Sequence, residues 1–355
     1  MNNDNQKVLE HFQLEEKHLI EKYNNKSELP TKVRIEASTL CQLDCVMCHM
    51  KRKADEVKNG CGFGNLKFED LKNFVENNNI TRIELSNNGE VFLNPDIVKI
   101  LKYLFEKKID IRIQNGTNLN YLTDEMAKTL VECKVKHIIV SIDGASEETY
   151  SIYRRKGNFN KVIENIKKIN HYKKLLNSSF PNLVYKFIVF GHNEHEIEKA
   201  KRLAQELDME IDFSKNSYPE YSPIKNKEKV IQETGLDDVD VSPSHRLDEY
   251  NNHKTNWFFC SLLWENPQIN YDGKILGCCY LFNADFEGNV FKDGYLEAMN
   301  NPKILYAKAM LTNNASPAND IPCTHCPVYK DLVKNNNFIK SPKIYRKKDI
   351  FGNYI

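Results

Sequence analysis

Hydrophobic positions along this chain follow two rhythms that take turns. Short apolar runs at 33–38, 81–87, 109–115, 136–142, 184–190 and 209–213 have the length and β-branched content of strands. Between them, apolar residues recur at helical spacing over about 66–78, 95–107, 123–133, 158–175 and 193–207. Strands alternating with helices make right-handed crossover units and a parallel sheet, so the fold class is α/β. The six strands of this stretch are too few to close an eight-strand barrel. Ligands of such sheets bind at the carboxyl ends of the strands, which makes the polar residues there the first candidates for a site.

The rhythm fades on both sides. Residues 1–30 carry Leu9, Phe12, Leu19 and Tyr23 at roughly helical spacing and predict an N-terminal helical extension. Between 215 and 256 the pattern dissolves around Pro219, Pro223 and Pro243, with a brief helical stretch at 228–233. A polar connection of this length predicts a linker or lid that carries substrate contacts. A smaller domain is expected over 257–330, where two short apolar strands flank Asp272-Gly273 as a β-hairpin. Residues 331–355 form a basic tail with Lys334, Lys340, Lys343, Arg346, Lys347 and Lys348, expected to be a solvated surface.

Composition narrows the class. With 355 residues, 41% of them hydrophobic, and a net charge of +1, the chain reads as a soluble protein of two domains. No basic excess argues for nucleic acid, and no apolar run approaches the ~20 residues of a membrane span. Ten cysteines without an export signal favour metal ligands over disulfides and a cytoplasmic location.

Three of those cysteines fall within eight residues, Cys41-Gln-Leu-Asp-Cys45-Val-Met-Cys48, directly after the first strand-like run. A loop at a strand end can turn three sulfurs toward one point, as an iron–sulfur centre requires. A cubane cluster held by three thiolates keeps one iron without a protein ligand, the open position typical of catalytic metal sites. A zinc knuckle is the rival; it would have to draft His49 as a fourth ligand, and a residue adjacent to Cys48 seldom reaches the same ion.

This CxxxCxxC loop after a first strand resembles the signature of the radical S-adenosylmethionine (radical SAM) enzymes. The resemblance implies a partial (β/α)6 barrel over 31–214. It further implies a [4Fe–4S] cluster whose open iron binds S-adenosylmethionine, reductive cleavage to a 5′-deoxyadenosyl radical, and abstraction of a substrate hydrogen. Met47 stands where the family usually has an aromatic residue, and a thioether can still pack on adenine. Asn88-Gly89-Glu90 resembles the family's GGE segment, which lines the S-adenosylmethionine amino group. Ser141-Ile-Asp143-Gly144, with Tyr150 and Arg154, resembles a further family stretch. It implies that Ser141 and Asp143 reach the ribose or methionine part and that Arg154 pairs with the methionine carboxylate. Asn115 ends the third strand and is a cofactor contact or simply a turn residue.

A second set consists of Cys260, Cys278, Cys323 and Cys326. The hairpin between the first two would bring them to one end, and Cys323-Thr-His-Cys326 would complete four thiolates. By geometry alone, a structural zinc fits four thiolates as well. The order resembles the auxiliary-cluster domain called Twitch, the short form of SPASM, and implies one auxiliary [4Fe–4S] cluster. Cys61, Cys133 and Cys279 are left over; Cys133 reads as a small buried hydrophobe, and the other two as inert thiols or, alternatively, as hydrogen-atom donors to a substrate radical. The expected activity is dehydrogenation or epimerisation of a carbohydrate-like small molecule, as in the Twitch-bearing aminosugar dehydrogenase of the butirosin pathway. Modification of a peptide or protein side chain is the alternative. An electron donor such as a flavodoxin or ferredoxin is implied as partner. A non-catalytic electron carrier is a remote rival, with no use for an open iron.

Overall fold

The computed structural model describes residues 29–340 except 219, 237–238, 240–246, 249, 253–257 and 279–283. The N-terminal extension to residue 28, Pro219, Pro243, Cys279 and the tail from 341 therefore lie outside the described residues. The chain divides into a unit Arg34–Val241 and a second unit made of Ser242–Ile355 with Met1–Val33.

The first unit is built on β1 (Lys32–Ile35), β2 (Arg82–Glu84), β3 (Asp110–Thr117), β4 (His137–Ser141), β5 (Asn182–Ile188) and β6 (Glu210–Ser214). They lie side by side in the order β6-β5-β4-β3-β2-β1, and every pairing from β2 to β6 is parallel. Registers such as Ile83↔Ile111, Ile113↔Ile138, Val140↔Tyr185 and Phe187↔Phe213 join apolar residues across the sheet. Strands buried on both faces need such continuous apolar runs, and helices supply the covering layer. Helix Ile97–Glu106 buries Ile97, Ile100, Leu101 and Leu104, one stripe at helical spacing. Sequence determines where helices begin: Thr123, Ser146 and Asn158 each accept a backbone N–H from the first turn that follows.

Among the described residues of the first unit, three helices were not apparent from the periodicity. Glu147–Tyr153 carries Arg154 at its C-cap, while His49–Arg52 and Ala54–Asn59 follow the third cysteine. All three are short, and the latter two expose most of their residues, so no apolar stripe reveals them.

At the end of β2 the sheet switches from backbone to side-chain partners. Glu84 accepts the N–H of Gln114 at 2.7 Å, and Ser86 Oγ accepts that of Asn115 at 3.0 Å. The β3–β4 register shifts between Ile113 and Thr117. An irregularity of this kind re-aims side chains at the ligand-binding edge of a sheet.

In the second unit, β7 (Gln268–Ile269) and β8 (Ile275–Gly277) pair antiparallel around Asp272-Gly273. Gly273 has φ +89°, which the turn requires and a side chain would resist. Helix Pro302–Leu311 is buried nearly all round, through Ile304, Leu305, Ala307, Ala309, Met310 and Leu311, and forms the core of this unit. Helix Pro327–Lys334 continues past residue 331, where the basic tail was expected to begin.

Candidate metal centres

The loop that carries Cys41, Cys45 and Cys48 has little regular structure of its own and is held by its neighbours. Asp44 N–H donates to Arg155 O at 2.9 Å and Val46 N–H to Tyr153 O at 3.3 Å, so the loop is pinned to the chain beyond β4. Leu43, Cys45 and Met47 are buried against Tyr153 and Phe190, with Ile188, Tyr218 and Tyr221 around them. Met47 thus belongs to an apolar wall. Tyr153 and Phe190 rings sit 4.7 Å apart, and His192 stacks on Phe190 while its Nδ1 meets Ser222 Oγ at 2.8 Å. Cys45 is buried, whereas Cys41 and Cys48 are partly exposed.

Buried polar groups hold the rim. Gly89 lies so close to the chain leading into Cys41 that a Cβ would stand 2.1 Å from Ser38 O. The glycine is needed there for backbone contact. Glu90 is buried with both oxygens engaged: Oε2 accepts Asn118 N–H at 2.7 Å and Oε1 accepts the Thr117 hydroxyl. Burial lifts its carboxyl to about 7. Glu36, which the sequence reading passed over, accepts the N–H groups of Asn88 at 2.7 Å and Gly89 at 3.4 Å. Burial raises it to about 7 as well.

Asp143 has φ +57° and is fully buried. Its Oδ1 accepts Ile188 N–H at 2.8 Å, and its Oδ2 receives Arg154 Nε at 2.6 Å. The residue Asp143 delivers to the site is therefore Arg154, whose Nη1 lies 3.7 Å from Cys45 Sγ. Ser141 is buried beside Gly116, where an added Cβ would meet Ser141 Oγ at 2.4 Å. Asn115 donates to Asn87 Oδ1 at 2.8 Å. Asn88 Oδ1 faces His49 Nε2 at 3.1 Å, while the side-chain nitrogens of Asn87 and Asn88 are buried with no protein partner. Two orphaned donors at the carboxyl end of β2 fit an incoming ligand rich in acceptors.

In the second unit Cys260, Cys278, Cys323 and Cys326 line one narrow pocket, with Leu263, Phe286, Leu311 and Tyr329 completing its wall. Cys278 directly follows β8 and lines the same pocket as Cys260, which sits in the helical turn Phe259–Ser261 ahead of the hairpin. The Cys323 thiol is pushed up by burial and by the neighbouring Cys278 and Cys326 sulfurs, so a positively charged centre would be welcome there. Cys61 and Cys133 are buried.

Among the described residues, no three His, Cys, Asp or Glu side chains are gathered tightly enough to hold a single metal ion. Zinc at about 2.3 Å from each sulfur would need its thiolates within about 4 Å of one another. A cubane instead spreads its ligands over separate irons.

Residues 35–204 match the model of the radical SAM superfamily, and residues 260–327 match that of the SPASM iron–sulfur cluster-binding domain. The chain is a radical SAM protein with a SPASM domain. Radical SAM domains bind S-adenosylmethionine and a [4Fe–4S] cluster, and SPASM domains bind auxiliary clusters. The chain is 23% identical over 303 residues to the antilisterial bacteriocin subtilosin biosynthesis protein AlbA of Bacillus subtilis, a match that covers 79% of this chain and 62% of AlbA. It thus spans less than two thirds of that relative's length. A probable GTP 3′,8-cyclase of Saccharolobus islandicus is 24% identical over 269 residues, 70% of this chain and 82% of the cyclase. Among solved structures, SuiB of Streptococcus suis superposes with a TM-score of 0.57 at 17% identity, over 96% of this chain and 81% of SuiB. That likeness extends the partial-barrel fold to this radical SAM chain.

Sequence reasoning missed two residues of the site, Glu36 and Asn118. Glu36 is a carboxylate alternating with Val33, Ile35 and Ala37 in the first strand run, which is a signal. Asn118 carries none, because its meaning lies in a contact 77 positions away.

Proposed function

We propose that this radical SAM protein modifies a peptide side chain by an oxidation begun with hydrogen abstraction. Of the two substrate classes weighed from the sequence, the peptide stands first because of the bacteriocin-biosynthesis relative, similar over 79% of this chain. In this reading Cys41, Cys45 and Cys48 hold the cluster that leaves one iron to S-adenosylmethionine. When bound, cluster and S-adenosylmethionine supply a 5′-deoxyadenosyl radical that takes a hydrogen atom from the substrate.

The chain's own residues prepare that event. Asn88, with Asn87 and Asn115 beside it, offers donors at the end of β2, and Gly89 and Glu90 hold this edge against the cysteine loop. Arg154, oriented by Asp143, presents its guanidinium to a carboxylate or to the Cys45 sulfur. Leu43, Met47, Tyr153 and Phe190 keep one side of the site dry, which protects a radical from quenching. Cys260, Cys278, Cys323 and Cys326 would hold one auxiliary cluster, a closed electron sink suited to oxidation. A flavodoxin or ferredoxin is the expected one-electron donor.

The test is anaerobic incubation of the reconstituted protein with dithionite, S-adenosylmethionine and the small peptides encoded beside its gene. The reading expects 5′-deoxyadenosine together with a peptide lighter by a pair of hydrogens. Oxidation of an aminosugar with no change in any peptide would overturn the peptide assignment.

A further inference from the structure

Cys41 is met by a side chain that the family signature does not include. Asn118 Nδ2 lies 3.6 Å from Cys41 Sγ, within the range of an N–H···S hydrogen bond. The orientation of this amide is fixed by its partners. The main-chain N–H of Asn120, which can only donate, reaches Asn118 Oδ1 at 2.9 Å. Gln42 Nε2 donates to the same oxygen at 2.9 Å. With Oδ1 so assigned, Nδ2 must face the sulfur and Gln42 Oε1, the latter at 3.5 Å. The backbone of Asn118 is anchored separately, through its N–H to Glu90 Oε2 at 2.7 Å. Asn118 is buried, so water does not compete for the bond.

We propose that Asn118, clasped by Gln42 and Asn120, donates a hydrogen bond to the Cys41 thiolate and thereby raises the reduction potential of the cluster that binds S-adenosylmethionine. The inference rests on the reading that Cys41 is a ligand of that cluster. One-electron reduction adds negative charge to the cluster and its sulfurs. An N–H dipole aimed at one sulfur favours the reduced form, one of the recognised levers on iron–sulfur potentials. The electron comes from the external donor; no proton moves, and no bond is made or broken. Asn118 is thus a positioning residue that sets how readily the donor can charge the cluster. The Asn118 bond does not depend on the thiol proton: the free thiol points toward Gln42 Oε1 at 3.9 Å, and a thiolate loses that contact while it can still accept from Asn118 Nδ2 and from the Leu43 N–H.

The test is a redox titration of the anaerobically reconstituted holoenzyme, followed by electron paramagnetic resonance. The signal monitored is the one that changes on adding S-adenosylmethionine, which separates this cluster from any auxiliary one. Asn118→Leu is expected to shift its midpoint to more negative potential. Asn118→Asp, which places an oxygen where the donor stood, is expected to shift it further. Gln42→Leu is expected to move it in the same direction by less. An Asn118→Leu midpoint equal to that of the wild type, with iron content and signal intact, overturns the inference. Should that variant fail to take up iron, wild-type protein labelled with ¹⁵N-asparagine decides: a ¹⁵N coupling to the same signal supports the bond, and its absence overturns it. A wild-type holoenzyme with no signal responding to S-adenosylmethionine overturns the cluster assignment itself, and the inference with it.

Discussion

The three-cysteine loop and the four-cysteine pocket use one kind of side chain to different ends. In the loop, Cys41 and Cys48 remain partly exposed, and charged or amide groups reach toward the sulfurs: Arg154 toward Cys45, Asn118 toward Cys41. In the pocket, Cys260, Cys323 and Cys326 are buried, and the rest of the wall is leucine, phenylalanine and tyrosine. In the proposed reading the first arrangement would keep one position for an exogenous ligand, with polar groups on one side and the wall of Leu43, Met47, Tyr153 and Phe190 on the other. The second supplies four thiolates and leaves no reason for a further ligand to enter. Polarity and ligand count differ between the two sets, although Cys278 is partly exposed like Cys41 and Cys48, and the proposed division into a reaction centre and an electron sink rests on that contrast.

Removing a ligand from each set should break the comparison most visibly. Cys45→Ala is expected to abolish 5′-deoxyadenosine formation and to lower iron from about eight to about four atoms per chain. Cys323→Ala should lower iron by a similar amount yet leave S-adenosylmethionine cleavage measurable while substrate conversion is lost. Iron analysis and chromatography of the two variants side by side check both. If Cys323→Ala loses cleavage as completely as Cys45→Ala does, the division of labour is wrong.

Below those effects stands the buried pair beside the loop. Asp143→Asn leaves the Arg154 guanidinium, only 14% exposed, without its counter-charge. Breaking a buried pair by removing one partner costs about 3 to 5 kcal/mol, to be read from denaturant unfolding. A loss under about 1 kcal/mol would mean that Arg154 relaxes into solvent.

The smallest expected effect is a pH dependence. The Glu36 carboxyl titrates near 7 in the fold, above the ordinary 4.5 it has when unfolded, so the folded state favours its neutral form. Its contribution to stability is full below pH 4.5 and declines as pH rises toward 7, by about 3 kcal/mol at most, then stays level. Glu36→Gln should flatten that part of the stability–pH curve. An unchanged slope would show that Glu36 is ionised throughout.

Much of this molecule was written locally. The alternation of apolar runs foretold β1 to β6, and Asp272-Gly273 foretold the hairpin, because each signal sits within a few residues of the element it makes. The helix Glu147–Tyr153 escaped, although Ser146 followed by two acids is a helix start; a two-turn helix is too short to show a stripe. The cysteine spacings were legible for the same local reason. Roles that depend on distant contacts were not. Glu90 and Asp143 were expected to face the cofactor, yet both carry carboxylates already engaged inside the fold, Glu90 with the end of β3 and Asp143 with Arg154. For Asp143 the partner lies only 11 positions on, within the same stretch, whereas Glu90's partners Thr117 and Asn118 come from the end of β3 and only the fold brings them together.

The central claim is that the loop cluster keeps an iron for S-adenosylmethionine. It is tested most directly in the Cys323→Ala holoenzyme, where only the loop cluster should remain, by pulsed electron paramagnetic resonance with S-adenosylmethionine carrying ¹⁵N in its amino group. The account predicts a ¹⁵N hyperfine coupling on the reduced cluster signal. A reduced cluster signal with no such coupling would contradict it.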